Sequence, residues 1–447
     1  MFDIDRCPMV KTNLPGPAAK KFIDLEKDYF SSVGVRVHPS LVVSKAYGCI
    51  VEDVDGNTFL DFAQSASTIG HCHPKIVQTV KDQAEQLMQY TGAISLHKSF
   101  LQAAGELLKV MPGDLKDGKI VYCTTGGEAV DFAVKLARFY TNKSVILSYH
   151  GSHHGVLGIA PHLTGELGGR ACRPLISEIA YLPSPNCYRC DLGLVYPKCA
   201  LRCLEYIKTV LETVPREAVA GLIFEPIFIR AGVIIPPHEY FKEVRHLCLE
   251  NNILLIDDEV FTGFGKTGKM FAIEHWGISP DIICLGKAMG GGLPIGAVVS
   301  RGEIMGSWER CGRGTISTFA GHPISSRAAI TNLEVLRDEG LPSNAMNIGR
   351  YLIKGLKEMS SRHEIIGDVR GLGLLIGVEL IKDTTTKAPA TEVAKQLIQN
   401  ALRKGLILGI AGRHRNVINL TPPLTLRRDQ ADRALEALDS ILKDLER

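Results

Sequence analysis

The chain has 447 residues, 45% of them apolar, which is enough to build one large core or two cores that share an interface. Its 51 basic and 48 acidic side chains nearly cancel and form no polybasic block, so the composition disfavours nucleic acid or a membrane surface as a partner. The N-terminal stretch MFDIDRCPMV lacks the positive region and apolar run of a signal peptide, and no later apolar run could span a bilayer, which predicts a cytoplasmic location.

Short β-type runs in residues 41–62 predict a small β-meander near the N-terminus. The turn signal Asp55-Gly56-Asn57 separates two of these runs. Since this segment carries no obvious chemistry, we expect the reactive residues further along the chain.

From about residue 75 to residue 325, apolar strands alternate with helical patterns. Predicted strands include KIVYCTT, SVILSYH, AGLIFEP, ILLIDDE and DIICLGK, and predicted helices include EAVDFAVKLARFY and YFKEVRHLCLENN. In the first of these helices, apolar residues at i, i+3, i+4 and i+7 form one face: Val130, Ala133, Val134 and Ala137. The alternation predicts an α/β domain around a mostly parallel sheet flanked by helices.

Beyond residue 330, amphipathic patterns flank the runs GDVRGLGLLIGVELI and NVINLTPPLTL, which predicts a smaller α+β domain. We therefore divide the chain into residues 1–70, an N-terminal segment of the small domain, residues 71–330, the large domain, and residues 331–447, the C-terminal part of the small domain.

Two predicted strands end in side chains that together suit imine chemistry. ILLIDDEV ends in three carboxylates, and DIICLG delivers Lys287 to a similar position ahead of a glycine-rich stretch. In parallel sheets, ligands bind beyond the carboxyl ends of the strands. A catalytic lysine must be able to lose its proton, and pyridoxal 5′-phosphate (PLP) needs an anion that keeps its pyridine nitrogen protonated. Lys287 and Asp258 fit these two roles.

A third feature is a candidate phosphate cradle. TTGGEAV places Thr125, Gly126 and Gly127 at the junction of a strand and a helix, where backbone N–H groups and the helix dipole favour an anion. The next strand ends in SYHGSHHG, and we expect Tyr149 to lie flat on the pyridine ring.

These motifs, taken in order along nearly the whole chain, resemble the class III aminotransferases of PLP fold type I. The similarity rests on DGNTFLDF with GHCHP, TTGGEAV, YHGSHHG, DDEVFTGFGKTG, LGKAMGGGLPIGAV and TFAGHP. The resemblance implies PLP as the cofactor, with Lys287 as the Schiff-base lysine and Asp258 as the partner of the pyridine nitrogen.

The resemblance also implies the remaining cofactor contacts. It places Val260 on the ring face opposite Tyr149 and brings the phosphate against three residues: Thr125, Gly126 and Gly127. It implies further that Thr318, in the TFAGHP motif, reaches the phosphate of the neighbouring subunit. The active unit is then an obligate homodimer or a dimer of dimers.

Departures from the family pattern concern the substrate side. Many relatives carry a glutamate and an arginine that pair or separate to admit two substrates, but here Arg230 and Asn419 stand at those positions. Arg230 is a candidate for binding a substrate carboxylate, as are Arg413 and Arg415. Phe261 replaces a frequent glutamine near the cofactor.

The favoured reaction is transamination, which moves an amino group from an amino acid or amine donor to a 2-oxo acid. The alternative is racemisation or epimerisation of an amino acid on the same scaffold. The missing glutamate and arginine shift weight toward this alternative, because a racemase handles one substrate. It needs a second acid or base across the ring from Lys287, and the sequence does not identify that residue.

Two groups of side chains resemble metal ligands. The spacing of Cys187, Cys190, Cys199 and Cys203 is compatible with a structural zinc, although free thiols or a redox-dependent disulfide are favoured over a metal. His150, His153 and His154 also lie close in sequence, but the resemblance implies that they are loop and pocket residues.

Overall fold

The computed structural model describes residues 7–31, 36–64, 66, 68–165, 178–312 and 317–446. Within these residues the strands form two seven-stranded sheets. In chain order they are β1 (Val43–Tyr47), β2 (Ile50–Asp53), β3 (Thr58–Phe62), β4 (Lys119–Cys123), β5 (Val145–Tyr149), β6 (Ile179–Leu182), β7 (Val219–Phe224), β8 (Leu254–Asp258), β9 (Ile282–Leu285), β10 (Gly296–Ser300), β11 (Ile366–Leu372), β12 (Leu375–Leu380), β13 (Leu406–Ala411) and β14 (Val417–Leu420).

Helices cover both sheets. In chain order they are α1 (Pro17–Tyr29), α2 (Pro74–Gln86), α3 (Lys98–Lys109), α4 (Gly126–Thr141), α5 (Ala160–Leu163), α6 (Arg202–Thr213), α7 (Tyr240–Glu250), α8 (Gly302–Ser307), α9 (Pro323–Asp338), α10 (Leu341–Ser360), α11 (Thr391–Arg403) and α12 (Arg428–Leu445). None of the helices in the described ranges is long and apolar enough to cross a membrane.

The larger sheet has the strand order β4-β10-β9-β8-β7-β5-β6. The strands from β9 to β6 pair in parallel, and β10 pairs antiparallel with both of its neighbours. Every residue of β7, β8, β9 and β10 is buried, as expected for strands covered by helices on both faces. The predicted α/β domain with a mostly parallel sheet is confirmed.

The two faces of this sheet pack against different helices. Helix α4 covers one face, and all four apolar residues predicted to face the sheet are fully buried: Val130, Ala133, Val134 and Ala137. Helices α6 and α7 cover the other face. Side chains alternate along each strand, so consecutive residues such as Ile256 and Asp257 point to opposite faces.

The smaller sheet joins strands from both ends of the chain in the order β1-β2-β3-β13-β14-β12-β11. All its pairs are antiparallel except the pair of β3 with β13. The predicted N-terminal meander is present as β1, β2 and β3, with its turn between Asp53 and Thr58.

A fully buried lysine connects the two sheets. Lys266 lies in the segment between β8 and β9, and its Nζ donates to the main-chain oxygens of Gln64 (3.2 Å), Thr421 (3.1 Å) and Pro422 (2.7 Å). Gln64 follows β3, and Thr421 and Pro422 follow β14. Three acceptors match the three donors of an ammonium group, so one side chain ties the larger sheet to both parts of the smaller one.

We expect Lys266→Met to destabilise the protein, because the apolar side chain leaves three buried carbonyl oxygens without a donor. The free energy of unfolding should fall by roughly 3 kcal/mol or more, at about 1 to 3 kcal/mol for each unsatisfied group. Denaturant unfolding followed by circular dichroism measures this change. Lys269→Met is the matched control, because Lys269 is exposed and donates to a single carbonyl, that of Glu274. Equal unfolding midpoints for the two variants would contradict the connecting role of Lys266.

Candidate active site

Neighbouring parallel strands bring Asp258 and Lys287 to one edge of the larger sheet. Asp258 is the last residue of β8, and its register partner on β9 is Cys284. Lys287 follows β9 by two residues and begins a short 3₁₀ turn, Lys287–Gly290. Its φ of +41° lies in the left-handed region, which is unusual for a residue other than glycine and is found most often at functional sites.

Two donors hold the Asp258 carboxylate in place. The Nδ1 of His154 donates to one oxygen at 2.7 Å, and the main-chain N–H of Val260 donates to the other at 3.1 Å. Asp258 is 5% exposed, and the His154 side chain has no exposed surface. The His154 Nε2 atom is buried and makes no hydrogen bond with the described residues. The histidine is therefore fixed behind the carboxylate, which it orients.

The Lys287 amine is placed to lose its proton. Burial lowers the pKa of Lys287, the charge of Arg230 lowers it further, and the charges of Asp258 and Glu225 oppose this shift. The amine also lies 4.4 Å from the centre of the Phe261 ring. Because the net direction is downward, a neutral amine forms at Lys287 more easily than on a solvated lysine.

The N-terminus of α4 forms a cradle that only glycine fits. A Cβ on Gly126 would lie 2.5 Å from Cγ1 of Val260, and a Cβ on Gly286 would lie 3.1 Å from Cα of Gly126. The Thr125 hydroxyl caps the helix by accepting from the N–H of Glu128 at 3.2 Å. Close backbone approach at the positive end of a 16-residue helix is the arrangement that binds a phosphate. Gly127 is the second helical residue of the same terminus.

The position of Tyr149 does not fit its predicted role. It has no exposed surface, its hydroxyl accepts from that of Tyr240 at 3.2 Å, and its ring packs edge-on against Phe228. Alternation along β5 turns Tyr149 with Leu147 toward α6 and α7, whereas Asp258 points to the α4 face. A side chain without accessible surface cannot line a cofactor cavity.

The loop after β5 supplies other side chains to this edge. His153 is half-buried, and its main-chain N–H donates to the Glu225 carboxyl group at 2.8 Å. His153 lies beside His154 and is the aromatic side chain of this loop that retains accessible surface near Asp258. This position makes His153, rather than Tyr149, the candidate for covering the pyridine ring.

Of the two predicted substrate residues, Arg230 lies near the site. It is exposed, and its charge acts on Lys287. Asn419 lies on β14, where its side chain packs over Gly409, and its Oδ1 is buried without a hydrogen bond to the described residues. Arg413, an alternative, is exposed and lies 3.9 Å from Asp191.

Thr318 is exposed, and the hydroxyl of the preceding residue, Ser317, lies 3.0 Å from that of Thr124. The segment therefore lies beside the start of the phosphate cradle, which begins at Thr125. The prediction that Thr318 serves a second subunit stays a prediction.

Glu225 is a residue of this edge that the sequence patterns did not single out. It directly follows β7, is 5% exposed, and has its pKa raised to about 8 by burial and by the charge of Asp258. The sequence feature that could have identified Glu225 is its position at the end of a buried strand, which is also the feature that identifies Asp258 as a candidate.

The four cysteines lie together. Cys187, Cys190, Cys199 and Cys203 line one cavity of about 20 Å³, and all four are free thiols. Burial, together with the neighbouring thiols, raises the pKa of Cys187 to about 11. Across the described ranges, no group of three or more His, Cys, Asp or Glu side chains is arranged to hold a metal ion.

The chain is similar to known proteins over most of its length. The sequence model of the class-III aminotransferase family matches residues 30–442. The chain is 40% identical to the leucine/methionine racemase of Thermococcus litoralis, with 96% of each chain covered. It is 35% identical to the isoleucine 2-epimerase of Lentilactobacillus buchneri, covering 96% of this chain and 95% of the relative. It is 33% identical to the 5-aminovalerate aminotransferase of Pseudomonas aeruginosa, covering 92% and 95%.

One solved structure is similar to this chain in fold and contains PLP. The PLP-bound amine transaminase of an uncultivated Pseudomonas species matches with a TM-score of 0.86 at 29% identity, covering 93% of this chain and 97% of that chain. The residues at this edge fit PLP, because they combine a lysine of lowered pKa, a buried carboxylate held by two donors and a glycine cradle at a helix N-terminus. PLP is therefore the cofactor.

We expect borohydride reduction of the purified protein to leave the pyridoxyl mass on the peptide that contains Lys287. Lys266 is an internal control, since burial also lowers its pKa, to about 7, but it has no accessible surface and its donors are all used. Peptide mapping by mass spectrometry distinguishes the two lysines. A label on Lys266 or on any other lysine would show that Lys287 is not the cofactor lysine.

We expect His154→Ala to weaken PLP binding without unfolding the protein, because it removes the donor that orients Asp258. A hydrogen bond to a charged group contributes about 1.5 to 3 kcal/mol, which corresponds to roughly 10- to 100-fold in affinity. Titration of apoprotein with PLP, followed by absorbance, measures this change. His150→Ala is the control, because His150 is exposed in the same loop and stacks on Tyr181. Equal affinities in the two variants would exclude the orienting role.

Proposed function

Because the chain belongs to the class-III aminotransferase family and uses PLP, we propose that it racemises or epimerises neutral α-amino acids. The observation that carries this proposal is the similarity, over 96% of the chain, to a leucine/methionine racemase and an isoleucine 2-epimerase. The identity of 40% to the racemase exceeds the 33% to the 5-aminovalerate aminotransferase. This ranking reverses the order that the motifs alone favour.

The substrate side of the site supports the same proposal. Transaminases of this family that take two unlike substrates use a glutamate and an arginine, and Arg230 and Asn419 occupy those positions here. Arg230 cannot pair with Asn419 as a charge, so the chain lacks that means of alternating between substrates. A racemase has one substrate and its mirror image, which present the same groups to the protein.

Each residue at the edge has a physical task in this reaction. Bound PLP supplies the electron sink that makes the hydrogen on the substrate α-carbon acidic. Lys287, with its lowered pKa, takes that proton and can return it. Asp258, oriented by His154, keeps a negative charge at the pyridine nitrogen. The cradle formed by Thr125, Gly126 and Gly127 holds the phosphate group.

Arg230 and Phe261 give the site its preference for a neutral amino acid. The exposed guanidinium of Arg230 acts on Lys287 and is suited to bind a carboxylate with two parallel hydrogen bonds. The ring of Phe261 presents apolar surface beside the Lys287 amine. A substrate with one carboxylate and an uncharged side chain satisfies both.

We also place this reaction in a cytoplasmic homodimer or a dimer of dimers. In that assembly Thr318 would complete the phosphate site of the partner subunit, and Val260 and His153 would lie on the two faces of the ring. The exposure of Thr318 in the single chain is compatible with burial against a second copy.

Transamination is the second candidate, because the matching family model and the PLP-bound structural neighbour are those of transaminases. In that reaction Lys287 would move the proton from the substrate α-carbon to the C4′ carbon of the cofactor rather than back to the α-carbon. The amino donor would be an amino acid or amine, and the acceptor a 2-oxo acid.

We expect the holoenzyme to convert single enantiomers of leucine, methionine or isoleucine into a mixture of isomers when no 2-oxo acid is added. Chiral chromatography of the product measures this conversion. The matched reaction contains 2-oxoglutarate or pyruvate and is assayed for the new amino acid. Amine transfer that requires the 2-oxo acid, with no isomerisation in its absence, would replace the racemase assignment by transamination.

A further inference from the structure

A second carboxyl group lies beside Asp258. The parallel register of β7 and β8 pairs Phe224 with Asp257, so the next residues, Glu225 and Asp258, are neighbours across the two strands. Adjacent strands are about 4.8 Å apart. Both side chains are 5% exposed, and alternation along the strands turns both toward the α4 face that carries the phosphate cradle.

The strand order places Glu225 and Lys287 on opposite sides of Asp258. In the sequence β9-β8-β7, Lys287 follows the first strand, Asp258 ends the second and Glu225 follows the third. Lys287 lies against Phe261, whereas Glu225 accepts from the main-chain N–H of His153 in the loop after β5. In strand order Lys287 and Glu225 therefore flank Asp258 on opposite sides, and each lies close enough for its charge to act on the other.

The two carboxyl groups have different environments. His154 and Val260 donate to both oxygens of Asp258, which stabilises its anion. Burial raises the pKa of Glu225 to about 8, and the charge of Asp258 contributes to the shift, while the His153 N–H and the charge of Lys287 oppose it. Near neutral pH, Glu225 therefore keeps its proton. When the environments of two neighbouring carboxyl groups differ in this way, the two groups often have different catalytic roles, one as an acid and the other as an anion.

We propose that Glu225 is the second acid–base catalyst of this site and exchanges a proton with the substrate α-carbon from the side opposite Lys287. The inference rests on the proposed racemase function and names the residue that this function lacks.

Over one turnover, the substrate loses one proton to Lys287 and gains one from Glu225. In one direction, the C–H bond on the side of Lys287 breaks, its electron pair is held by the cofactor-bound substrate, and the neutral amine becomes an ammonium. The acid form of Glu225 then gives its proton to the opposite face of the same carbon, and a carboxylate remains. Exchange with solvent restores both groups, and the reverse direction uses the same groups with their roles inverted.

The charged groups that face Glu225 set its dependence on pH. Asp258 raises its proton affinity, and Lys287 lowers it. Arg230, five residues along the same loop, acts on Lys287. The pKa of Glu225 is raised, so the acid form is present below about pH 8 and is lost above it. The direction in which Glu225 delivers the proton should therefore slow as the pH rises above about 8.

The test is Glu225→Gln, which keeps the shape of the side chain and removes its exchangeable acid proton. Racemisation should fall by roughly 100- to 10,000-fold, the usual contribution of a general acid–base group. In D₂O, however, the variant should still exchange the α-hydrogen of the one enantiomer that presents it to Lys287, and should lose exchange with the other. Nuclear magnetic resonance measures both exchange rates. A merely structural role for Glu225 would lower the two rates in parallel.

A second readout does not depend on turnover. In the resting holoenzyme, the infrared difference between wild type and Glu225→Gln should contain a protonated carboxyl band that decreases through about pH 8. The difference is needed because burial also raises the pKa of Asp257 and Glu259. Asp257→Asn is the matched control, because Asp257 is equally buried, lies one residue from Asp258 and points to the opposite face. This control should keep the band and the exchange with both enantiomers.

The outcomes separate this inference from the proposed function. If the wild-type protein exchanges both enantiomers but Glu225→Gln does so equally well, racemisation stands and the role of Glu225 is wrong. The inference also fails if Glu225→Gln removes no carboxyl band that titrates near pH 8. If the wild type exchanges only one enantiomer and does not racemise, the proposed function fails, and the proposed role of Glu225 fails with it even where its band titrates.

Discussion

The parallel pairing of β7, β8 and β9 is the constraint on which the site depends. Parallel strands end at the same edge, so three side chains far apart in sequence, Glu225, Asp258 and Lys287, meet without any long loop to position them. The strands are buried on both faces, so closely packed elements hold this edge in place. The candidate phosphate cradle follows from the same architecture, because α4 begins soon after β4 ends.

Burial at this edge determines which groups carry charge. Burial raises the pKa of Glu225 to about 8, and the charge of the neighbouring Asp258 contributes to that rise. Hydrogen bonds from His154 and Val260 stabilise the anion of Asp258, so Glu225 is the group that holds a proton near neutral pH. Burial and the charge of Arg230 lower the pKa of Lys287 even though the neighbouring carboxyl groups of Asp258 and Glu225 act in the opposite direction. One acid, one anion and one easily deprotonated amine thus result from a single arrangement of strands.

The sequence was sufficient for the elements and for the residues whose position follows from a strand end. The same signal predicts Asp258 and Lys287, which the structure brings to one edge, and the α/β sheet, the meander and the buried face of α4 agree with their patterns. Tyr149 also ends a strand, but a shift of one residue along a strand reverses the face, and the sequence does not fix which face holds the cofactor. Glu225 follows a buried strand as well, but only the register shows that it lies beside Asp258.

The substrate side of the site depends on the smaller sheet. The main-chain oxygen of Gly232 accepts from Nε and Nη2 of Arg370 on β11, at 2.9 and 2.7 Å, and the N–H of Gly412 donates to the oxygen of Arg230 at 2.9 Å. The loop that carries Arg230 is therefore held by two segments of the smaller sheet, while Lys287 and Glu225 are held by the larger one. Substitutions in the smaller sheet can therefore move Arg230 relative to Lys287 and Glu225 without changing the strands that carry these two residues.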